Sequence, residues 1–407
     1  MKCRHCQTSL EDVFLDLGSA PPSNAYLTRE ALRSPEIHYP LRLFVCRHCR
    51  LVQTEDFTEA DALFSPAYAY FSSTSKSWLA HAARYSGMIT ERLGLTDTSY
   101  VVELASNDGY LLRNFVERGI PCLGIEPTAS TAEAAEALGI PVLQEFFGAE
   151  LGQKLASQGR QADLIAGNNV YAHVPDINDF TAGIATLLKP EGVVTLEFPH
   201  LMELVEHCQF DTVYHEHFSY LSLLSVAQIF TNAGLRVFDV EQIPTHGGSL
   251  RVWGCLEGAM HEERAAVAAL QAEERARGME GDAFYQGFQA RAEKIKDDFS
   301  SFLIEARKSS KSVVGYGAAA KGNTLMNFAG IRPDLMEYVC DAAAAKQGKF
   351  MPGSRIPIRP PDALNDTAPD YVVILPWNIA EEVMAQLDHL RALGTRFVTA
   401  VPGLRVK

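Results

Sequence analysis

Two Cys-x-x-Cys pairs near the start of the chain carry the clearest chemistry in the sequence. Cys3 pairs with Cys6, and Cys46 pairs with Cys49. Each pair can place two thiolates on one metal ion, and two pairs complete a tetrahedral sulfur shell that needs no water. The pattern therefore predicts a structural zinc site. About 40 residues separate the pairs, more than in the usual zinc ribbon, so a disulfide or a redox pair stays open as the alternative.

A second chemical signal is an acidic loop at residues 103–109, which follows an apolar strand pattern and precedes a helical one. A loop in this position brings its backbone close to a ligand at the carboxyl end of the strand. The next strand ends in Glu126, where a carboxylate can accept both hydroxyls of a ribose. The loop has no lysine for a triphosphate, and its acids suit a cationic nucleoside such as S-adenosylmethionine. Acids that are merely solvated, or that cap helices, are the alternative.

The predicted cofactor contacts share a position at the carboxyl ends of buried strands. They are Glu103, Ala105, Ser106, Asn107, Asp108, Glu126, Pro127, Asn168 and Asn169.

A third group of reactive side chains is the sequence Tyr-His-Glu-His at residues 214–217. Both this run and residues 167–175, which include His173, are expected at strand ends that face one crevice. Imidazole is the side chain best suited to exchange a proton near neutral pH, so the density predicts a proton-transfer site. A metal site is the rival interpretation, although no third ligand of matching spacing is evident. Tyr68 and Tyr70 are placed to reach the crevice, but aromatics beside a proline more often only pack.

A second glycine-bearing loop, at residues 315–322, follows a strand pattern late in the chain. Asp341 ends a later strand, about where a dinucleotide-binding fold keeps the acid that holds the ribose. The third glycine falls two positions late for that fingerprint. The loop therefore indicates a phosphate site more than an NAD site, and glycines that serve only a tight turn remain the alternative.

Composition limits the classes of partner. The chain has 407 residues, 47% of them hydrophobic and 21% charged, which is ordinary for a well-cored protein of two or three domains. A net charge of −14 argues against nucleic acid or an anionic membrane as a partner. No apolar run approaches the roughly 20 residues that span a bilayer. Four further cysteines in apolar segments indicate a reducing cytoplasm: Cys122, Cys208, Cys255 and Cys340.

Strand and helix patterns divide the chain into three blocks. Residues 1–65 form a small metal-stabilised module with a Pro-Pro-Ser-Asn turn at 21–24. In residues 66–257, alternating strands and helices predict a parallel sheet that a hairpin ends. Residues 258–407 begin with one or two long helices and continue as a second α/β unit. The predicted fold class is α/β: a zinc-binding N-terminal module, a central class I methyltransferase Rossmann-like domain and a C-terminal Rossmann-like domain.

These motifs together resemble the zinc-containing C-methyltransferases that build branched deoxysugars on nucleotide carriers. The resemblance covers nearly the whole chain. It depends on the four cysteines, on Glu-Leu-Ala-Ser-Asn-Asp-Gly from 103, Asn-Asn-Val-Tyr-Ala-His from 168, Tyr-His-Glu-His from 214, Thr-His-Gly-Gly-Ser-Leu-Arg from 245 and Gly-Tyr-Gly-Ala-Ala-Ala-Lys-Gly-Asn-Thr from 315. One departure is Ala105, where methyltransferases of this fold often have glycine.

The resemblance implies S-adenosylmethionine-dependent methylation of a sugar carbon, most simply carbon 3, beside a ketone at carbon 4. His217 resembles the general base, flanked by Tyr214 and Glu216, while His173 and Tyr68 resemble groups that hold the sugar or its developing oxyanion. A dTDP-, GDP- or CDP-linked keto-deoxysugar is the expected substrate. Its expected contacts are Tyr70, Ser249, Arg251, Lys321 and Asn323.

Three other functions remain open at this point. An NAD-dependent nucleotide-sugar oxidoreductase would use the loop at 315–322, and an oxygen- or nitrogen-directed methyltransferase would need no carbon deprotonation. A non-catalytic zinc-containing binding module would leave the Tyr-His-Glu-His run without a purpose. A cytoplasmic monomer is compatible with the sequence.

Overall fold

The computed structural model describes residues 1–55 and 71–407. Within those residues, the first sheet has four antiparallel strands in the order β1-β2-β3-β9. Its strands are β1 (Asp12–Ala20), β2 (Tyr39–Val45), β3 (Val52–Thr54) and β9 (Ser219–Tyr220). Because β9 comes from far along the chain, the N-terminal block is hydrogen-bonded directly to the segment that follows the Tyr-His-Glu-His run.

The second sheet is the central one, with seven strands among the described residues in the order β10-β11-β8-β7-β4-β5-β6. β4 to β8 are parallel, and β10 and β11 form an antiparallel hairpin at the edge. The strands are β4 (Val101–Leu104), β5 (Cys122–Ile125), β6 (Val142–Leu143), β7 (Ala162–Asn168), β8 (Leu188–Pro199), β10 (Leu235–Ile243) and β11 (Ser249–Leu256). The helices of this block are α1 (Lys76–Leu93), α2 (Arg113–Val116), α3 (Ala129–Glu136), α4 (Ala149–Ser157), α5 (Ile177–Leu187), α6 (Leu201–Glu206) and α7 (Leu223–Asn232).

The third sheet is C-terminal and has six strands among the described residues, in the order β14-β13-β12-β15-β16-β17. All its pairs are parallel except the last, β16 with β17. The strands are β12 (Val313–Tyr316), β13 (Val339–Cys340), β14 (Ile358–Arg359), β15 (Tyr371–Ile374), β16 (Arg396–Thr399) and β17 (Arg405–Val406). The helices are α8 (Ala265–Ala276), α9 (Phe288–Lys308), α10 (Ala320–Phe328), α11 (Ala363–Thr367) and α12 (Ala380–Gln386).

One buried core joins the first and third sheets. Helix α9 packs on β1, where the rings of Phe14 and Phe288 stack with centroids 4.7 Å apart. The same core includes Met326 of α10 and Val213, beside the Tyr-His-Glu-His run. Side chains from all three blocks therefore pack around this run.

The predicted fold class is confirmed: an N-terminal module with clustered cysteines precedes two Rossmann-like α/β sheets. The predicted hairpin is also confirmed as β10 with β11. Two local predictions were wrong. The helix expected at 110–117 is only α2, because residues 106–112 form turns, and the run at 214–217 follows a 3₁₀ turn at Phe210–Thr212 instead of a strand. The predicted domain boundaries, 1–65, 66–257 and 258–407, remain predictions.

None of the helices in the described residues combines the length and the apolar character that crossing a membrane demands.

Candidate active site and zinc site

The four N-terminal cysteines converge at one point. Their sulfur atoms lie within 4.8 Å of one another, with Cys3 Sγ 3.5 Å from Cys49 Sγ and Cys6 Sγ 3.4 Å from Cys46 Sγ. Tetrahedral zinc at about 2.3 Å from each sulfur sets the sulfurs roughly 3.8 Å apart, whereas a disulfide needs about 2.05 Å. The four thiols fit zinc, which they would hold as thiolates and which would crosslink the module.

The first cysteine turn also contacts the central block. The His5 ring lies between two asparagines, with Nδ1 2.9 Å from Asn178 Oδ1 and Nε2 3.0 Å from Asn232 Nδ2. Arg4 donates to the carbonyl of Pro175 at 2.8 Å and stacks 4.8 Å from the centroid of the Phe218 ring. Because Phe218 follows the Tyr-His-Glu-His run, the zinc module supports the backbone of that run.

A buried acid stands in the predicted cofactor loop. Glu103 is 1% exposed, and within residues 1–55 and 71–407 neither of its oxygens has a hydrogen-bond partner of ordinary geometry. Burial raises its pKa well above the usual value, opposed by the nearby Tyr110 and reinforced by Glu126 and Asp108. A nearby cation stabilises the ionised form of such a carboxyl group and so lowers its pKa. The site therefore fits a ligand with an ammonium and a sulfonium group.

Hydrogen bonds fix the rest of this loop. Both oxygens of Glu126 accept backbone N–H groups, from Asn107 and Thr128, each at 2.9 Å. Asn107 and Asp108 in turn accept from the backbone N–H groups of residues 72 and 73, at 2.9 and 3.0 Å. The predicted cofactor contacts Glu103 to Asp108 and Glu126 are thus brought together, with Pro127 adjacent. Asn168 is buried at the end of β7, with both side-chain polar atoms unpaired among the described residues.

The loop is also strained. Ala105 and Asn107 have left-handed φ angles of 55° and 49°. A residue with a Cβ pays roughly 1–2 kcal/mol for this conformation. Such strain persists where the surroundings fix the backbone, and it clusters at functional sites. The glycine usual in methyltransferases at the position of Ala105 is explained by this angle.

His217 lies at the centre of a cluster of aromatic rings. Its ring centroid is 4.6 Å from those of His173 and Tyr214. Burial, and then the neighbouring His173 and a further histidine, lower the pKa of His217 well below its usual value. His217 is therefore neutral, which is the form a base requires.

The other two members of the run point elsewhere. Glu216 is buried and accepts from Asn24 Nδ2 at 2.9 and 3.3 Å, and burial raises its pKa to about 7 while that hydrogen bond lowers it. His215 turns away, with Nε2 3.2 Å from the carbonyl of Tyr39, as expected for a structural histidine. Asn24 lies in the Pro-Pro-Ser-Asn turn, whose local sequence indicates a turn but not this contact.

The C-terminal block contributes a cation to this cleft. Lys321, at the start of α10, is 8% exposed and donates to Asn378 Oδ1 at 2.6 Å, with its Nζ 4.4 Å from the Trp377 ring centroid. Burial lowers its pKa to about 8, while Asp211 acts in the opposite direction. Asp211 accepts from Trp377 Nε1 at 2.8 Å, and its own pKa is raised to about 6 by burial. Lys321 contributes to the low pKa of His217, so its charge acts on the same cleft.

Three other predicted substrate contacts are engaged within the protein. Arg251 is paired with Glu197 at 2.6 Å and with Glu241 at 2.7 Å. Ser249 donates to the carbonyl of Thr245 at 2.9 Å, and Asn323 donates to the carbonyl of residue 23 at 2.7 Å. The Arg251 charge is thus neutralised, and the pairing disfavours it as a phosphate ligand. Tyr68 and Tyr70 lie outside the described residues, so their predicted roles remain predictions.

One histidine of the cleft was missed from the sequence. His246 lies in the hairpin turn between β10 and β11, and its Nε2 is 3.2 Å from Asn169 Nδ2. It is the further histidine that lowers the pKa of His217. Its position in the Thr-His-Gly-Gly-Ser motif was the available signal, because two consecutive glycines after a histidine indicate an unusual turn.

Family models match almost the whole chain in three consecutive pieces. Residues 3–64 match a domain described as "Putative zinc binding domain", residues 78–240 a "Methyltransferase domain", and residues 244–402 a "C-methyltransferase C-terminal domain". The C-methyltransferase NovU of Streptomyces niveus is 36% identical over 408 residues, covering 100% of this chain and 96% of that protein.

Solved structures resemble parts of the chain. The 1,6-didemethyltoxoflavin-N1-methyltransferase of Burkholderia thailandensis, solved with its substrate and S-adenosylhomocysteine, is 17% identical, with 51% of this chain and 96% of that chain covered and a TM-score of 0.38. The magnesium protoporphyrin IX methyltransferase of Synechocystis PCC 6803 is 11% identical, with 43% and 82% covered and a TM-score of 0.35. TM-scores this low carry no argument about this chain.

Proposed function

We propose that this chain, which belongs to the zinc-containing C-methyltransferase family and is an S-adenosylmethionine-dependent C-methyltransferase, methylates a nucleotide-linked 4-keto-deoxysugar at carbon 3. The observation that carries the proposal is the position of His217. A neutral imidazole stands beside His173 and Tyr214, and the Lys321 charge contributes to its lowered pKa. Such a site suits removal of a proton from carbon beside a ketone.

The reaction needs one base and an electron-accepting carbonyl. His217 takes the proton of the carbon–hydrogen bond, and the electron pair of that bond moves into the enolate of the ketone. Bound S-adenosylmethionine would supply the methyl group for this carbon, and its sulfur would depart as the neutral thioether of S-adenosylhomocysteine. The proton then passes from His217 to solvent, so charge and atoms balance.

Because His217 is a weak base, proton removal also requires stabilisation of the charge that develops on the ketone oxygen. Because the pKa of His217 is lowered, the free energy of proton transfer is favourable only if the enolate oxygen is stabilised. A positioned general base contributes roughly 10²- to 10⁴-fold, and a donor to the oxyanion roughly 10²- to 10³-fold more. His173 is predicted to hold the sugar or its developing oxyanion, and Tyr214 and Glu216 are predicted to flank His217, with Glu216 hydrogen-bonded to Asn24.

The cofactor is proposed to bind along the loop of residues 103–108. Glu103 would face its cationic end, and Glu126 would accept from its ribose through the lone pairs that its two backbone hydrogen bonds leave. Lys321 is the proposed contact for the nucleotide-linked sugar, because it is the predicted substrate residue whose charge acts on the cleft.

A substrate panel tests this function. Purified protein is incubated with S-adenosylmethionine and dTDP-, GDP- and CDP-linked 4-keto-6-deoxysugars, and products are analysed by mass spectrometry. A gain of about 14 Da that fragmentation places on carbon 3 supports the proposal. A gain on oxygen or nitrogen would support the competing methyltransferase class, and consumption of NADH with no mass gain of this kind would support an oxidoreductase.

A further inference from the structure

The turn that carries His246 is shaped by contacts on both sides. His246 has a left-handed φ of 56°, and Gly247 and Gly248 follow with φ angles of 96° and 112°. A Cβ on Gly247 would lie 2.5 Å from Trp377, and one on Gly248 would lie 2.6 Å from Glu203. Only glycine at these two positions lets the turn pack closely between α6 and the C-terminal block. This packing fixes the position of His246.

Asn169, the hydrogen-bond partner of His246, also has a left-handed backbone. Asn169 follows β7 with a φ of 55°, and its backbone N–H donates to the carbonyl of Glu197 at 2.8 Å. Its side-chain amide meets His246 Nε2 at 3.2 Å. Two non-glycine residues thus hold left-handed backbones and bond each other across two loops. Asparagine and histidine adopt this backbone more readily than most residues, and the hydrogen bond between them fixes the position of the His246 ring.

The pair leaves His246 as a neutral hydrogen-bond donor. Burial and then Lys321 lower the pKa of His246 to about 4, with Glu197 acting in the opposite direction and His81 in the same one. With Nε2 accepting from Asn169, the proton of the neutral ring resides on Nδ1. Among the residues that the structure describes, the ring makes no second hydrogen bond, and it contacts Trp78 edge-on with ring centroids 5.4 Å apart.

We propose that His246 is a catalytic residue that donates a hydrogen bond from Nδ1 to the ketone oxygen of the substrate, with Asn169 as the positioning residue that fixes its tautomer. The inference rests on the proposed function. The His246 turn packs against Trp377 through Gly247, and the Lys321 ammonium lies 4.4 Å from the centroid of the same ring. A neutral donor and an ammonium that share this neighbour can stabilise an oxygen that gains negative charge during proton removal.

Matched substitutions separate the two ring nitrogens. In His246→Asn the side-chain amide lies near the position of Nδ1, and asparagine tolerates the left-handed backbone. In His246→Gln the amide lies near the position of Nε2. Asn169→Asp keeps size and backbone tolerance but makes this side chain an acceptor, which moves the ring proton to Nε2 and removes the donor. His389→Asn, at an exposed histidine bonded to Asn365, is the control.

The readout is exchange of the substrate proton beside the ketone with D₂O, measured in the presence of S-adenosylhomocysteine, together with methyl transfer. His246→Gln and Asn169→Asp are expected to slow both by about 10²- to 10³-fold, and the S-adenosylhomocysteine affinity of His246→Gln is expected to change less than twofold. His246→Asn is expected to keep at least ten times the exchange rate of His246→Gln, and His389→Asn to match wild type.

Each outcome decides the question. Wild-type exchange rates in His246→Gln, or equal losses in His246→Gln and His246→Asn, would overturn the inference and leave the proposed function standing. A loss of cofactor affinity with unchanged exchange would assign His246 to the cofactor site and also overturn it. A wild-type protein that neither exchanges nor methylates any ketosugar of the panel would overturn the proposed function and this inference together.

Discussion

The two Rossmann-like sheets carry similar glycine-bearing loops and use them in opposite ways. In the central sheet, the loop after β4 contains the buried Glu103, whose oxygens have no hydrogen bond of ordinary geometry among the described residues. The same loop donates a backbone hydrogen bond to Glu126. In the C-terminal sheet, the equivalent space after β12 is filled by the protein. A Cβ on Gly317 would lie 2.5 Å from Pro376, and one on Gly322 would lie 2.8 Å from Leu375.

Glu126 and Asp341, the acids that follow the two loops, also differ in whether they are available to a ligand. Among the described residues, Glu126 accepts from two backbone N–H groups, which leave lone pairs for a ligand. Asp341 accepts the N–H of Ala343 at 2.8 Å and lies 3.5 Å from Lys346 Nζ, and Lys346 also donates to the carbonyl of residue 318. The second loop therefore closes on itself, and its Lys321 donates to Asn378 of the same block while its charge contributes to the lowered pKa of His217. A fingerprint of glycines and an acid does not by itself specify a nucleotide site.

Removal of zinc should produce the largest difference in stability between the strands near His217 and the C-terminal sheet. Structural zinc sites contribute on the order of 10 kcal/mol to folding, and β3 of the zinc module pairs with β9 beside His217. After chelation, amides of β2, β3 and β9 should lose hydrogen-exchange protection while those of β12 and β15 keep it. Equal loss in both regions would show that the zinc module supports the entire chain, and loss in neither would remove its structural role.

Replacement of Lys321 by methionine should affect the substrate and not the cofactor. A lost contact between charged groups costs about 1.5–3 kcal/mol, so Lys321→Met should lower kcat/KM for the nucleotide sugar by roughly 10- to 100-fold. Titration calorimetry should give an unchanged Kd for S-adenosylmethionine. A weakened cofactor Kd with normal substrate kinetics would reverse the assignment of the two loops. Lys346→Met, in the closed second loop, is the matched control.

A pair of amide substitutions tests the two acids directly. Glu126→Gln should raise the Kd of S-adenosylmethionine about tenfold, because one charged acceptor for the ribose is lost. Asp341→Asn should leave that Kd within about twofold and should create no NADH binding. If Asp341→Asn weakened the cofactor as much as Glu126→Gln, the second loop would have to be regarded as a nucleotide site.

The smallest expected effect is on stability and concerns Glu216. Its hydrogen-bond partner, Asn24, lies in another block, whereas the partners of Asp341 lie in its own block. The pKa of Glu216 in the folded state is raised from 4.5 to about 7, so its contribution to stability is full below about pH 4.5 and is lost as pH rises through 7. Asn24 favours the charged carboxylate, so Asn24→Ala should raise this pKa further. Urea unfolding should show a loss of about 1 kcal/mol at pH 5 and about 2 kcal/mol at pH 8.

The control for this pH dependence is Asn114→Ala, since the Asn114 amide donates to the backbone carbonyls of residues 110 and 111 and has no titratable partner there. Its cost should be the same at both pH values. An Asn24→Ala cost that falls between pH 5 and pH 8 would contradict the assigned direction.

Sequence patterns predicted the features that depend on short-range order. The cysteine turns, the parallel strands and the hairpin follow from local spacing and apolar alternation. The contacts of Asn24 with Glu216 and of His246 with Asn169 join residues 192 and 77 positions apart, so no local pattern encodes them. The predicted phosphate role of Arg251 rested on its charge, and burial opposite Glu197 decides how that charge is used.

Proton removal by His217 is the central claim, and solvent exchange measures it most directly. Wild-type protein with S-adenosylhomocysteine and the ketosugar that it methylates should exchange the carbon 3 proton for deuterium, as followed by NMR. His217→Ala should slow this exchange by roughly 10²- to 10⁴-fold while it binds S-adenosylhomocysteine with nearly the wild-type Kd. Exchange at the wild-type rate in His217→Ala would contradict the account and move the base to another residue.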